Sequence, residues 1–75
     1  MFFLNENLEN SINLFEADLK LIADKHNLSI NQLYKQFSYI AKGNTISYHI
    51  FDNANSDITD DCVALFRTYF PKVKN

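Results

Sequence analysis

Apolar residues recur every three or four positions over the first third of the chain. This spacing marks one face of an amphipathic helix, because 3.6 residues complete a helical turn. The pattern predicts a first helix over about 7–25. Its stripe consists of Leu8, Ile12, Phe15, Leu19 and Ile22.

Three further residues widen this stripe on one side. Leu14, Ala17 and Leu21 follow helical steps of three and four, so we expect this helix to contact two neighbours. The helix is predicted to end near His26 and Asn27, since asparagine readily takes the left-handed conformation that closes a helix.

A second helix has a clear start signal. Ser29 and Gln32 have the spacing of a capping box, in which each side chain bonds the backbone of the other residue. Apolar residues continue at helical spacing to Ala41, and Gly43 is a natural stop. We therefore predict a helix from 30 to about 42, and the short link at 26–29 predicts an antiparallel helical hairpin.

The segment 45–51 alternates between apolar and polar residues. Ile46, Tyr48 and Ile50 are separated by Ser47 and His49, which is typical of a strand. A short third helix is the alternative, and the alternation favours strand or extended structure. A lone strand is unstable, so it would need a partner, either the segment 2–4 or a second copy of the chain.

A last helix is predicted at about 58–70, capped by Asp57 or Thr59 and stopped by Pro71. The elements together predict a mainly α fold. We expect a small three-helix domain, a helical hairpin plus a C-terminal helix, with a short extended or β segment at about 45–51. Residues 1–75 would form this single domain, since a chain of this length supports one core.

Composition narrows the function classes. The 75 residues carry seven lysines and arginines against nine acidic residues, a formal charge of −2. Nucleic-acid binders usually show a basic stripe, so nucleic acid is the less favoured partner. A lone cysteine, Cys62, excludes an internal disulfide framework. No apolar run approaches the ~20 residues of a membrane span. These features predict a cytoplasmic protein without a membrane partner.

No combination of side chains matches a familiar catalytic or metal site. His26, His49 and Cys62 lack the spacings of zinc ligands. A calcium loop beginning at residue 53 would need glycine where Ile58 stands and glutamate where Ala64 stands. Cys62 with His49 could act as nucleophile and base, but the two aspartates before the cysteine would raise its pKa. We expect a non-enzymatic protein with no catalytic residues, metal or cofactor.

Two resemblances suggest a function. Residues 28–37 followed by 45–50 resemble the helix-turn-helix of small bacterial repressors, whose sequence pattern is LSxxxLA followed by TVSxHL. This resemblance implies a DNA-binding repressor using residues 29–50. The residues facing the major groove would be Asn44, Thr45, Ser47, Tyr48 and His49. The turn would be about two residues longer than in the motif, and Tyr34 occupies a position where the motif has a small residue.

The second resemblance spans residues 14–66. Leu28-Ser29, Leu33-Tyr34 and Phe37, followed by Tyr48, Phe51, Ile58 and Asp61, resemble a family of short uncharacterised bacterial proteins, a domain of unknown function. Its members are 70–80 residues long, and the resemblance implies an association with toxin–antitoxin or mobile-element loci. No functional residues carry over from it.

Aromatic and acidic residues are numerous for so short a chain, and we do not expect all the aromatics to be buried. Tyrosines suit interfaces because each combines an apolar body with a polar tip. The leading hypothesis is therefore a protein-protein interaction module of bacterial or phage origin. It would act as a small regulator, an antitoxin-like neutraliser or an anti-defence inhibitor, and it could form a homodimer. The predicted partner-binding residues are Tyr39, Tyr48, His49, Asp52, Asp57, Asp60 and Tyr69.

Overall fold

A computed structural model describes residues 4–43 and 45–71. In that part of the chain two long helices, one short helix and a two-stranded antiparallel sheet follow one another. The elements are α1 (Leu4–Lys25), α2 (Ile30–Tyr34), β1 (Phe37–Lys42), β2 (Thr45–Ile50) and α3 (Ser56–Tyr69). The fold is mainly α, as predicted. The predicted three-helix arrangement is not confirmed, because a β-hairpin occupies the middle of the chain.

The first helix is confirmed, together with its closing residue. Asn27 adopts a φ of 60°, and the amide of Leu28 donates to the carbonyl of Ala23 at 2.8 Å. This left-handed residue lets the chain reverse within four residues of the end of α1. The capping box is also confirmed. The Gln32 amide donates to Ser29 Oγ at 3.1 Å, and the Ser29 amide donates to Gln32 Oε1 at 2.9 Å.

The predicted length of the second helix is wrong. Instead of continuing to about residue 42, α2 ends at Tyr34, and Phe37 begins a strand. The residues from Phe37 to Lys42 satisfy helical and alternating spacing at once. Pairing with β2 then provides the hydrogen bonds that decide between the two structures.

The strand predicted at 45–51 is confirmed, but its partner is β1. The register runs from Lys42 paired with Thr45 to Phe37 paired with Ile50, which leaves a two-residue turn. Gly43 has a φ of 61° in that turn, so it is a hairpin residue rather than a helix stop. Of the partner predicted at 2–4, residues 2 and 3 lie outside the described part, and Leu4 begins α1.

The last helix begins two residues earlier than predicted and ends before Pro71. Its N-cap is Asn55, whose Oδ1 accepts from the Asp57 amide at 2.8 Å. The cap is therefore neither Asp57 nor Thr59. Thr59 is instead buried, and its hydroxyl donates to the carbonyl of Asn55 at 3.3 Å.

The core lies where α1 and α3 pack together over one face of the hairpin. Phe15 is fully buried at its centre, with edge-to-face contacts to five other aromatic rings. The helices run antiparallel, since Lys25 lies beside Asp61 and Asp18 lies beside Tyr69. The buried apolar residues are Phe15, Leu19, Ala23, Leu33, Phe37, Ile46, Ile58, Cys62, Phe66 and Phe70.

One side of α1 departs from expectation. The helix contacts both α2 and α3, but the three residues predicted to widen its buried stripe are exposed. Leu14 is 59% exposed and Leu21 64% exposed, and Ala17 is also exposed. Within the described residues, α1 therefore carries an uncovered apolar stripe beside its buried one.

The helix-turn-helix interpretation is wrong in its central element. That motif needs a recognition helix over about 45–50, and these residues form β2. Thr45, Ser47 and His49 lie on a strand instead of a helix that could enter the major groove, and Asn44 lies outside the described residues. In the part of the chain that the structure describes, no helix combines the length and apolarity needed to cross a membrane.

Candidate interaction surface

The connection from β2 to α3 is held in place by one residue, Gln36. Its backbone carbonyl accepts from the Phe51 amide at 3.0 Å, and its side-chain Oε1 accepts from the Asn55 amide at 2.7 Å. The Ala54 amide also donates to the Phe51 carbonyl at 3.1 Å. These bonds fix both ends of the connection, so the backbone that carries its exposed side chains is held in one conformation.

An aromatic and apolar group lies at the beginning of this connection. The rings of His49 and Phe51 meet edge to face, with centroids 4.7 Å apart. Phe51 is 38% exposed and Ile50 39% exposed. A partly exposed ring that is already held by a neighbour loses little conformational freedom when a partner covers it. We call the surface formed by residues 49–52 and the start of α3 the β2–α3 corner.

Acidic side chains complete the β2–α3 corner. Asp52 follows Phe51, and Asp57 and Asp60 lie one helical turn apart at the start of α3; all three are exposed. Among the described residues, the salt bridges involve Asp61 and none of these three. The corner therefore presents three carboxylates without a salt-bridge partner among the described residues, and one of them, Asp52, directly follows Phe51. Such a surface complements a basic partner and would speed its approach.

The structure divides the seven predicted partner-binding residues into two groups. His49, Asp52, Asp57 and Asp60 are exposed at or next to the β2–α3 corner. The other three are half-buried tyrosines that contact the core. They are Tyr39, Tyr48 and Tyr69.

The hydroxyl groups of two tyrosines are bound to α1. Tyr39 donates to Glu16 Oε2, and Tyr69 donates to Asp18 Oδ2 at 2.6 Å. Burial, followed by the bond to Glu16, raises the pKa of Tyr39. The bond to Asp18 is the main cause that raises the pKa of Tyr69. Each phenol is thus held protonated while it ties α1 to β1 or to α3.

Tyr48 has an intramolecular role too. It pairs with Tyr39 across the hairpin and stacks on Phe37, with ring centroids 5.6 Å apart. Its ring also meets Phe66 of α3 edge to face at 4.9 Å. These contacts make Tyr48 part of the packing between the hairpin and α3, so its substitution would disturb the fold as well as any interface.

Sequence reasoning missed a cross-helix cluster at Asp61. Lys25 Nζ donates to Asp61 Oδ2 at 3.0 Å, and His26 Nε2 lies 2.9 Å from the same oxygen. The hydrogen bond with His26, and then that with Lys25, lowers the pKa of Asp61. The cluster joins the end of α1 to the second turn of α3. No local signal reveals it, because its members are 35 and 36 residues apart.

The residues considered for cysteine or calcium chemistry lie in α3 or just before it. Cys62 is fully buried, and burial raises the pKa of its thiol to about 12, which opposes the thiolate that a cysteine nucleophile requires. The segment weighed as a calcium loop begins α3 at Ser56. In residues 4–43 and 45–71, no three histidine, cysteine or acidic side chains are grouped as a metal site.

Comparisons of the chain with protein-family models, with curated proteins and with solved structures found no match.

Proposed function

We propose that this protein is a non-enzymatic interaction module that binds a basic protein partner through the β2–α3 corner. It would act by occupying that partner, as a small regulator, an antitoxin-like neutraliser or an anti-defence inhibitor of bacterial or phage origin does. The observation that carries the proposal is the partly exposed Phe51. Its ring contacts His49, its backbone is anchored by Gln36, and the acidic Asp52 follows it in the sequence.

Of the seven predicted partner-binding residues, only the four exposed ones would contact the partner directly. Phe51 would insert as the apolar anchor, since aromatic residues are enriched among those that dominate binding energy. Asp52, Asp57 and Asp60 would steer the partner by long-range attraction. The three tyrosines would act on the interface only through the fold, because they are partly buried and pack against the core.

A partner is first needed from the source organism. Tagged protein would be used to recover complexes from a lysate divided into nuclease-treated and untreated halves. We expect a stoichiometric protein partner in both halves. Recovery of nucleic acid, with every protein lost after nuclease treatment, would contradict the proposal.

The surface is tested with that partner by surface plasmon resonance. Asp57→Lys together with Asp60→Lys should slow association severalfold, and raising the salt to about 150 mM should slow the native pair, because both weaken steering. Phe51→Ala should speed dissociation about tenfold or more. The matched controls are Glu9→Lys, an exposed acid on α1, and Ile40→Ala, an exposed apolar residue elsewhere on the hairpin. Equal effects from corner and control variants would refute the corner as the binding surface.

A further inference from the structure

A small pocket lies where α1, α2 and β1 meet. Its volume is about 250 Å³, and its lining residues are Glu16 of α1, Tyr34 of α2, and Ser38 and Tyr39 of β1. The rings of Tyr34 and Tyr39 are tilted by 57° to one another, with centroids 6.5 Å apart. Two tyrosines and a carboxylate therefore line one cavity, which we call the two-tyrosine pocket. It shares no lining residue with the β2–α3 corner, so it is independent of the proposed partner site.

Glu16 gives the two-tyrosine pocket a negative charge. Its Oε2 accepts from the Tyr39 hydroxyl, and a carboxylate can accept about four hydrogen bonds, so accepting capacity remains for a ligand. Among the described residues both salt bridges involve Asp61, so Glu16 has no cationic partner there. Neither Lys20, one turn further along α1, nor Lys35, the residue after α2, lines the pocket. The carboxylate is therefore free to meet a cation from outside the described part of the chain.

We propose that the two-tyrosine pocket binds an organic cation of the trimethylammonium class. An aromatic ring attracts a cation that lies within about 6 Å of its centroid. Because the two ring centroids are 6.5 Å apart, a cation in the pocket can satisfy this distance for both rings and also meet the carboxylate of Glu16. The tilt between the rings favours a rounded cation over a planar guanidinium, which stacks on a single ring face.

The hydrogen-bond donors of the ligand distinguish methylated from unmethylated ammonium. A primary ammonium carries N–H donors and is strongly hydrated, so it must exchange its bonds to water for bonds to the pocket. A trimethylammonium group has no N–H donor, and its methyl groups can contact the rings directly. The hydrogen bond from Tyr39 to Glu16 holds one ring and the carboxylate in place before the ligand arrives, which limits the entropy lost on binding. The same group occurs in free quaternary amines and in trimethylated lysine side chains.

NMR titration of the full chain with choline chloride tests the site. The amide resonances of Glu16, Tyr34 and Tyr39 should shift together, with a dissociation constant on the order of 1–10 mM, since each cation–π contact at an exposed site is weak. The matched ligands are ethanolamine, the primary amine, and the uncharged analogue in which a tert-butyl group replaces trimethylammonium, all at constant ionic strength. Both should bind about threefold more weakly or worse. No shifts with choline, or equal binding of either matched ligand, would overturn the proposal.

Capped trimethyllysine distinguishes the two sources of the group. Binding about fivefold tighter than that of choline would support a modified lysine side chain as the ligand. Equal or tighter binding of choline would support a free quaternary amine. Absence of binding by both ligands would contradict the proposal.

Conservative substitutions assign the binding to these side chains. Glu16→Gln removes the charge but keeps an oxygen that can accept from Tyr39, and it should weaken choline binding about threefold. Glu16 is exposed, so this change leaves the core intact. Tyr34→Leu removes a ring and should also weaken binding about threefold, whereas Tyr34→Phe should not. Glu9→Gln, at another exposed acid of α1, is the control. Native binding by Glu16→Gln, or equal losses from Glu16→Gln and Glu9→Gln, would rule out the site.

Discussion

At the scale of single residues, Asp61 links two helices that are far apart in the sequence. Its Oδ2 accepts a hydrogen bond from Lys25, the last residue of α1, and contacts the ring of His26, the next residue. One carboxylate oxygen therefore links the end of α1 to α3. Its pKa is lowered from the usual 3.8, mainly by the bond with His26. A carboxyl group with a lowered folded-state pKa stabilises the fold above its unfolded pKa. That contribution is lost as the pH falls through the folded-state value.

Replacing Asp61→Asn should therefore destabilise the protein in a pH-dependent way. At pH 7 we expect a loss of about 0.5–1 kcal/mol, since the pair is partly exposed to solvent. The difference from the native protein should shrink as the pH is lowered below about 4. Urea unfolding followed by circular dichroism at several pH values measures this.

Asp60→Asn provides the control for that experiment, because Asp60 is exposed on the same helix and forms no salt bridge among the described residues. Its effect on the free energy of unfolding should be small, since the substitution breaks no salt bridge. If the two variants show the same pH profile, the bonds to His26 and Lys25 contribute nothing to stability.

At the scale of elements, the first strand of the hairpin was predicted wrongly, as a helix. Phe37, Ile40 and Ala41 follow helical spacing, while Phe37, Tyr39 and Ala41 follow strand spacing. Local periodicity therefore could not separate the two structures. The sequence signal that could have identified the hairpin is the pair Gly43-Asn44 between two β-prone runs, because this pair is common in two-residue hairpin turns. Elements with one strong periodicity or a cap, such as α1 and the start of α2, were predictable.

Gly43 is the residue that the hairpin turn depends on most directly. Its φ of 61° is costly for residues with a side chain, although a Cβ there would have no atom within 4 Å. Gly43→Ala should thus destabilise the fold by about 1–2 kcal/mol through backbone strain alone. Gly43→Asn should cost less, since asparagine tolerates this conformation. Thermal unfolding of both variants provides the comparison; equal losses would show that strain is not the cause.

For the molecule as a whole, stability depends on a small core centred on Phe15. The ring contacts Phe37 and Tyr39 of β1 and Phe66, Tyr69 and Phe70 at the end of α3 or just after it. It therefore connects both long helices with the hairpin. A chain of this length has few kcal/mol to spare.

Phe15→Ala should cost about 3–5 kcal/mol and leave the protein largely unfolded at 25 °C. Phe51→Ala, which truncates an exposed ring, should change the free energy of unfolding by less than about 1 kcal/mol. Chemical denaturation monitored by circular dichroism distinguishes the two. A folded Phe15→Ala variant with near-native stability would mean that the core does not depend on this ring.

The candidate surface was only partly predictable at this scale. Asp52, Asp57 and Asp60 were expected to be exposed because acids are rarely buried without a partner. The tyrosines were harder to place. Their hydroxyl partners, Glu16 and Asp18, lie 23 and 51 residues away, and only the folded chain brings them together. The hydrogen bonds that Gln36 accepts from Phe51 and Asn55 could not be predicted for the same reason.

The antiparallel contact between α1 and α3 also bears on the order in which the chain folds. The hairpin joins residues as close as Lys42 and Thr45, so it closes with little loss of chain entropy. The Asp18–Tyr69 bond spans 51 residues, and its loop is far costlier to close. We therefore expect the two helices to dock late, around a hairpin already formed. Mutations at the α1–α3 contact should then accelerate unfolding while leaving the refolding rate almost unchanged.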